Sequence, residues 1–169
     1  MGSETDTRTP AAARGPRKAI SDDDLRHWRT FFHMQEVLRS RIEQQLQADN
    51  SLSNADYTVL IALSEAPDGR ARVFEFCRRL GWEKSRLHHQ LTRMSKRGLV
   101  VREAGPARSM YVAITAEGRS VLRRAIPGHM REIQRLVLDR LAPEQLAQLG
   151  EISALLLETL QADGDSDPE

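Results

Sequence analysis

Hydrophobic residues recur every three or four positions along most of the chain, which is the spacing of amphipathic α-helices. The first of these helices begins at Ser21, where Asp24 completes a capping box, and it continues to about Ala48. The same start signal recurs at Ser53 and Asp56, and the second helix that it opens ends at a Pro-Asp-Gly turn. The pattern therefore predicts a mainly α-helical protein.

Two shorter helices follow this turn. One covers residues 73–80 and ends at Gly81, and the next carries an apolar stripe formed by Leu87, Leu91 and Met94. The residues that lie off this stripe are basic or polar: Lys84, Ser85, Arg86, His88, His89 and Arg93. Two short helices joined by a glycine-containing turn, the second with a basic outer surface, indicate a helix-turn-helix.

A β-hairpin is predicted directly after the helix-turn-helix. Residues 99–102 and 110–114 are rich in β-branched and apolar side chains, and the loop AGPARS between them contains Gly and Pro. Arg102 and Arg108 are expected on or near the tip of this hairpin. Such an arrangement is a winged helix, in which we expect the second short helix to enter the DNA major groove and the wing to reach the backbone or the minor groove.

Helical patterns resume after the hairpin. Thr115 is the expected N-cap of a helix that continues to Leu141, and Pro127 and Gly128 are expected to bend or locally break it. Pro143 starts the last helix. The apolar stripes of the first helix and of these C-terminal helices are wider than one small winged helix can cover. This favours a homodimer over the alternative that the helices fold back onto their own winged helix.

The predicted fold class is therefore mainly α: a winged helix-turn-helix with N- and C-terminal dimerisation helices and a small β-hairpin wing. Residues 1–20 and the acidic residues 162–169 are expected to be disordered tails. The domain covers residues 21–161, with a DNA-binding lobe at 52–115 and dimerisation helices at 21–48 and 116–161.

Charge is distributed unevenly along the chain. Residues 70–110 contain 11 Lys or Arg against three Glu, a net charge of +8. Since the whole chain has a net charge of only +1, the remainder carries −7. A concentrated basic block on an otherwise acidic chain indicates a surface for double-stranded DNA, and an ordinary solvated charged face is the alternative.

Composition gives little support to other classes of function. The apolar runs are short, and the N-terminus lacks the apolar centre of a signal peptide, so we expect a cytoplasmic protein without a membrane partner. Cys77 is the single cysteine and lies on an apolar helix stripe, where a buried, inert thiol is expected and a redox switch is the alternative. Without a zinc-site spacing, a nucleophile motif or a glycine-rich phosphate loop, we expect no metal, no cofactor and no enzyme.

The order of helices, helix-turn-helix and wing over residues 21–161 resembles the MarR family of bacterial transcriptional regulators. The segments that carry the resemblance are LSNADYTVLIALSEAPDGR, SRLHHQLTRMSKRGLVVRE and YVAITAEGR. Their most specific parts are the RGLV turn into the wing and the entry into the next helix, where Ile114 and Thr115 are followed by Gly118.

This resemblance implies a homodimer that usually represses by binding a palindromic operator and that a small, often phenolic or anionic, effector releases from DNA. It implies that the wing arginine is Arg108 and that the recognition helix contributes Lys84, Ser85, Arg86, His88 and His89. The family often has Asp two residues before the wing arginine, where this chain has Pro106. The usual acidic anchor of the wing is therefore missing.

Aromatic residues suggest a site for that effector. Trp28, Phe32, His33 and Tyr57, with Phe31, are candidates for its walls, because aromatic side chains with a few polar groups suit a flat ligand. Core packing is the alternative for at least half of them.

Two further expectations concern the basic region. His88 and His89 are adjacent and cannot both face the groove squarely, so one of them is expected to contact only backbone or solvent. Lys96 and Arg97 are expected to contact phosphates of any sequence. The alternative function is a winged-helix module that binds proteins without specific DNA binding.

Overall fold

The computed structural model describes residues 19–105 and 109–164, with side chains to residue 161. Its elements in chain order are α1 (Asp22–Asn50), α2 (Asn54–Ser64), β1 (Arg70–Arg72), α3 (Val73–Leu80), α4 (Lys84–Lys96), β2 (Val100–Ala104), β3 (Met110–Ile114), α5 (Ala116–Leu136) and α6 (Pro143–Gly164). The fold is mainly helical with one small sheet, as the sequence predicts. None of the helices within the described ranges is both long enough and apolar enough to cross a membrane.

The structure separates into two units, one ending at Val37 and the other beginning at Leu38. In the first unit, α1 starts with the predicted capping box: Ser21 Oγ accepts a hydrogen bond from the Asp24 N–H at 3.1 Å. The Trp28 side chain lies next to Phe32, with ring centroids 6.0 Å apart, and both rings are exposed. This unit therefore presents an aromatic surface on a helix that its own residues do not cover.

The second unit has a hydrophobic core built by the C-terminal part of α1, α2, α3, α4, the sheet and the first half of α5. Its largest fully buried side chains are Leu46, Leu52, Val59, Leu60, Leu63, Phe76, Leu87, Leu91, Met94, Val100 and Val112. The apolar stripe predicted for the second short helix, Leu87, Leu91 and Met94, lies on α4, the recognition helix, and belongs to this core. The core therefore fixes α4 with its opposite, polar face outward.

The turn of the helix-turn-helix is set by a glycine. Gly81 caps the C-terminus of α3 in the left-handed conformation at φ 61°, and its N–H donates to Arg78 O at 3.1 Å. Side chains other than glycine are disfavoured in this conformation. After two more residues α4 begins at Lys84, so the predicted helix-turn-helix is confirmed.

The sheet has three strands rather than the two of the predicted hairpin. The strand order is β1-β3-β2, with both pairs antiparallel, and Arg72 of β1 pairs with Tyr111 of β3. β1 is only three residues long, which is too short for an alternating pattern to identify it. The additional strand joins the start of α3 to the wing.

The helix after the wing is continuous, so the local break expected at Pro127 and Gly128 is wrong. The α5 helix runs through both residues to Leu136. Ala125 and His129 on either side of Pro127 are both buried, so packing against the core holds the helix across the missing backbone hydrogen bond.

The C-terminal boundaries also differ from the expected ones. The α5 helix ends at Leu136 rather than Leu141, and a short 3₁₀ turn over Leu138–Arg140 follows it. The last helix begins at Pro143 as predicted and extends to Gly164, three residues beyond the expected end.

Candidate nucleic-acid interface

The solvent face of α4 brings together the six residues that the sequence assigned to DNA contact on this helix. All six are exposed: Lys84, Ser85, Arg86, His88, His89 and Arg93. The opposite face is buried and consists of Leu87, Gln90, Leu91 and Met94. A polar surface on a helix fixed by its buried face is suited to enter a groove as a rigid body.

The helical repeat shows which residues lie at the centre of this face and which lie at its edge. At 100° per residue, Ser85, His89 and Lys96 lie near the centre, opposite the buried stripe. His88 lies at the edge next to the wing, and the two histidine rings are nearly perpendicular, with centroids 5.9 Å apart. His89 is thus the histidine that faces outward squarely.

Arg86 is held by an aromatic neighbour. Its guanidinium lies over the Trp82 ring at 4.3 Å from the centroid, and Trp82 itself packs against the core. A cation held over an indole keeps most of its hydrogen-bond donors available. Arg86 is therefore oriented on the outer face before any ligand arrives.

Gln90 is a functional neighbour that the sequence reasoning missed. It is buried, and its Nε2 donates to Asp56 Oδ1 at 2.7 Å, while its Oε1 accepts from Arg93 Nη2. Arg93 is thus tied to α2 through Gln90. The sequence showed only a polar residue on a helix and gave no sign of its partner 34 positions earlier.

Arg97 has a structural role in the fold, and its expected contact with phosphate remains a prediction. Arg97 Nη1 donates to Asp56 Oδ2 at 2.7 Å, and its Nη2 donates to the Ser51 carbonyl oxygen at 2.6 Å. The two terminal nitrogens therefore bind the first turn of α2 and the connection that precedes it. The positive charge counted in the sequence is here partly neutralised by an acidic residue outside the basic block.

The wing is joined to the recognition helix by Arg102. Its Nη2 donates to the His88 carbonyl oxygen at 2.8 Å and to Thr92 Oγ1 at 3.1 Å. Arg102 lies within β2 and not at the tip, so its expected position near the tip is corrected. Arg108 and Pro106 lie outside the described residues.

The start of α5 packs closely against the turn that joins α4 to the wing. Thr115 Oγ1 accepts from the Gly118 N–H at 2.9 Å and donates to the Gly98 carbonyl oxygen at 2.6 Å. A Cβ at Gly118 would overlap the carbonyl oxygen of Leu99. The Thr-x-x-Gly signal in the sequence therefore reports a helix cap and a close backbone approach.

Cys77 is buried in the core, as expected. Burial raises the pKa of its thiol above the ordinary value, with a smaller opposing effect from Lys84. A thiol with a raised pKa is less often ionised and hence less reactive.

The candidate ligand residues fall into the two units. Trp28, Phe32 and His33 are exposed on α1 in the first unit. Tyr57 is buried in the second unit, where its ring lies 4.2 Å from the ring of His129. A single pocket formed by all four residues remains a prediction.

The cleft beside Tyr57 is apolar with a polar rim. Its walls include Ile61, Leu80 and Ile133, and Arg79 lies at its edge. Arg79 is bound to Glu65 at 2.8 Å and to the Ala62 carbonyl oxygen at 3.1 Å.

His129 is the residue of this cleft that the sequence reasoning missed. Burial lowers its pKa below the ordinary value, and its Nδ1 has no hydrogen-bond partner among the described residues. Burial also raises the pKa of Tyr57. Both groups are therefore neutral near pH 7, and an apolar cleft lined by two neutral rings suits a flat, mainly apolar molecule.

Comparison with protein families places a MarR family model on residues 50–108. Among the solved structures that resemble most of the chain are two MarR family regulators. Sco3205, a MarR family transcriptional regulator from Streptomyces coelicolor solved in complex with DNA, is 34% identical, with a TM-score of 0.83, and the match covers 88% of this chain and 94% of that one. AbsC, a MarR family regulator from the same organism, is 31% identical, with a TM-score of 0.81 and coverage of 86% and 99%.

A more distant structure shares the fold alone. The organohalide-sensing transcriptional regulator RdhR, in its 2,4-dichlorophenol-bound form, is 15% identical, with a TM-score of 0.74 and coverage of 90% of each chain. None of the curated proteins matches the chain.

Proposed function

Since the chain belongs to the MarR family of transcriptional regulators, which are not enzymes, we propose that it is a homodimeric repressor acting on a pseudo-palindromic operator in the bacterial cytoplasm. The observation that carries this proposal is the outer face of α4. Its polar side chains are exposed together, while its apolar stripe is locked into the core. Such a helix meets base edges in the major groove without first rearranging.

Individual residues take distinct roles in this proposal. Arg86, held over Trp82, reads a base edge, because a guanidinium can donate two hydrogen bonds to guanine. Lys84, Ser85, His88, His89 and Arg93 supply the remaining contacts to bases and phosphates from the same face. Arg108 in the wing reaches the minor groove.

The proposed dimer rests on apolar surfaces that the chain does not cover. Leu155, Leu157 and Leu160 of α6 are each more than half exposed, and no residue of α6 with a described side chain is buried. Exposed leucines on one helix favour contact with a second protein surface. An isologous contact with a second copy supplies the two-fold symmetry that a palindromic operator requires.

A small aromatic effector is proposed to relieve repression. The cleft beside Tyr57 and His129 has apolar walls with Arg79 among its lining residues, so it suits a flat aromatic molecule that carries a polar group. RdhR, which shares the fold, is described as bound to 2,4-dichlorophenol. A ligand favouring the DNA-free geometry about tenfold would contribute roughly 1.4 kcal/mol of coupling per site.

An electrophoretic mobility shift at low salt separates this function from that of a protein-binding module. The wild-type chain is titrated into a 40-base-pair duplex of arbitrary sequence, where the basic face should give a salt-sensitive complex. A protein-binding module without DNA contact would give no shift. The effector is then tested by adding 2,4-dichlorophenol to the complex with a duplex that the protein selects from a random library. DNA binding that stays undiminished at every concentration would reject the proposed effector site.

A further inference from the structure

A cleft separate from the one beside Tyr57 lies between the recognition helix and the wing. It is bounded by the start of α3, the start of α4 and the start of β3, and its volume is about 450 Å³. Lys84 and His88 line it from α4, and Ser109 and Met110 line it from the wing. The cleft thus opens between the two elements that a winged helix uses on DNA.

Two of the side chains that line this cleft are large, apolar and exposed. Phe74 at the start of α3 is 60% exposed, and Met110 at the start of β3 is 47% exposed. The Lys84 ammonium lies 5.5 Å from the centroid of the Phe74 ring. Large apolar side chains left uncovered beside cations favour a partner that combines an apolar surface with negative charge.

Arg72 provides a second cation at the rim, and Tyr111 positions it. Arg72 Nε donates to the Tyr111 hydroxyl oxygen at 2.8 Å, a bond that uses one of the five N–H donors of the guanidinium. One of these nitrogens, Nη1, lies 3.6 Å from the Glu75 carboxylate, and both side chains are more than half exposed. An exposed pair at this distance is weak, so an incoming anion can compete with Glu75 for the guanidinium.

The position of the cleft identifies the anion. When one element occupies the major groove and a neighbouring element reaches the adjacent minor groove, the sugar–phosphate strand that separates the two grooves must pass between them. Here that space is the cleft. Deoxyribose offers an apolar surface that matches the Phe74 and Met110 side chains. The phosphodiester offers a negative charge that matches Arg72 and Lys84.

We infer that the cleft between α3, α4 and the wing holds one sugar–phosphate strand of the operator, with Arg72 and Lys84 on its phosphates and Phe74 and Met110 against its sugars. This inference rests on the proposed DNA-binding function. Tyr111 is a positioning residue that acts through Arg72. Glu75 opposes binding, because its carboxylate repels the phosphate and competes for Arg72.

The experiment measures the affinity of the full chain for a fluorescein-labelled duplex of arbitrary sequence at several salt concentrations. Loss of one phosphate contact reduces the slope of log K against log salt by about 0.9 in magnitude. Arg72→Ala should show this reduction and bind about five- to tenfold more weakly. Glu75→Gln should bind several-fold more tightly.

Arg70→Ala is the matched control. Arg70 lies over the same Tyr111 ring, at 5.5 Å, two residues earlier on the same strand, but it does not line the cleft. Its substitution should leave the slope within about 0.3 of the wild-type value, a third of one phosphate contact. Circular dichroism melting checks that each variant is folded.

Two further variants test the proposed contact of Phe74 with deoxyribose and the positioning of Arg72 by the Tyr111 hydroxyl. Phe74→Ala should weaken binding about threefold with an unchanged salt slope, because it removes an apolar contact and no charge. Tyr111→Phe keeps the ring and removes the acceptor for Arg72. It should weaken binding in the wild-type background and have no further effect when combined with Arg72→Ala.

The outcomes separate this inference from the proposed function. Normal wild-type binding with equal slopes for wild type and Arg72→Ala would overturn the inference and leave the proposed function standing. The salt slopes could also be equal while benzoate binds to the DNA-free wild-type protein and not to Arg72→Ala. That result would assign the cleft to a small anion instead. A wild-type chain that binds no duplex would overturn the proposed function itself.

Discussion

The Asp56 carboxylate accepts a hydrogen bond from the Arg97 guanidinium at 2.7 Å, and this contact fastens the end of the recognition helix to the start of α2. Asp56 is 4% exposed, and both of its oxygens have donors: Oδ1 accepts from Gln90 Nε2, and Oδ2 also accepts from the Ser53 N–H. One buried carboxylate therefore caps α2 and fixes α4 at two points.

Replacing this carboxylate should destabilise the fold strongly. Asp56→Ala should lower the free energy of unfolding by about 3 kcal/mol, because it leaves Gln90 and Arg97 without their acceptor. Urea unfolding of both proteins at the same fixed protein concentration measures this difference in the free energy of unfolding. Asp24→Ala is the matched control: it removes the same capping position from an exposed helix start and should cost no more than about 1 kcal/mol. Equal losses would mean that Asp56 acts only as a cap.

The junction at Gly118 should not accept a methyl group. Gly118→Ala places a Cβ against the Leu99 carbonyl oxygen, and we expect a loss of about 1–3 kcal/mol in the free energy of unfolding despite the better helix propensity of alanine. Glu117→Ala, at the exposed neighbouring position, should change it by less than about 0.5 kcal/mol. Thermal melting of both variants compares them, and a Gly118→Ala protein as stable as wild type would contradict the close approach.

The buried His129 should make the fold sensitive to acid. Its pKa in the folded chain is lowered by burial, so between that value and the ordinary 6.5 the unfolded chain binds more protons than the folded one. Stability should therefore fall as the pH decreases below 6.5 and be fully present above it. His129→Gln removes the titrating group beside Tyr57, and unfolding curves from pH 7 to 5 should show a smaller pH dependence. Parallel pH profiles for the two proteins would exclude His129 as the cause.

The exposed leucines of α6 should hold two chains together. Sedimentation at low micromolar concentration should give about twice the 19.1 kDa chain mass. Leu155→Glu with Leu160→Glu should weaken this association, since it places charge in an apolar contact. Gln148→Glu with Gln161→Glu adds the same two charges at exposed polar positions of the same helix and should remain dimeric. A wild-type chain that sediments at the monomer mass would contradict the dimer.

Local signals account for the parts of the fold that the sequence predicts well. Capping boxes at Ser21 and Ser53 place two helix starts, and Gly81 places the turn of the helix-turn-helix, because each depends on residues a few positions apart. The outward face of α4 follows from the same short-range periodicity. These features need no knowledge of which segments meet in space.

The features that the sequence did not reveal depend on distant partners. β1 exists because Arg70–Arg72 pairs with β3 some forty residues later, and Gln90 is buried because Asp56 satisfies its amide. Arg97 and Arg102 looked like DNA contacts in a charge count, but their guanidiniums are bound within the fold. How many of a basic residue's donors remain available to DNA depends on the internal acceptors that the tertiary structure places beside it.

The most direct test of the account is selection of duplexes from a random library by the purified wild-type chain, followed by the same selection with Arg86→Ala. Two recognition helices related by two-fold symmetry predict an inverted repeat with half-sites about 10 base pairs apart, and Arg86→Ala should relax preference at one position in each half-site. Lys96→Ala, the control on the same face, should weaken all sequences without changing the motif. Enrichment of no motif, or of an asymmetric one that Arg86→Ala leaves unchanged, would contradict the proposal that this chain reads DNA as a dimer through α4.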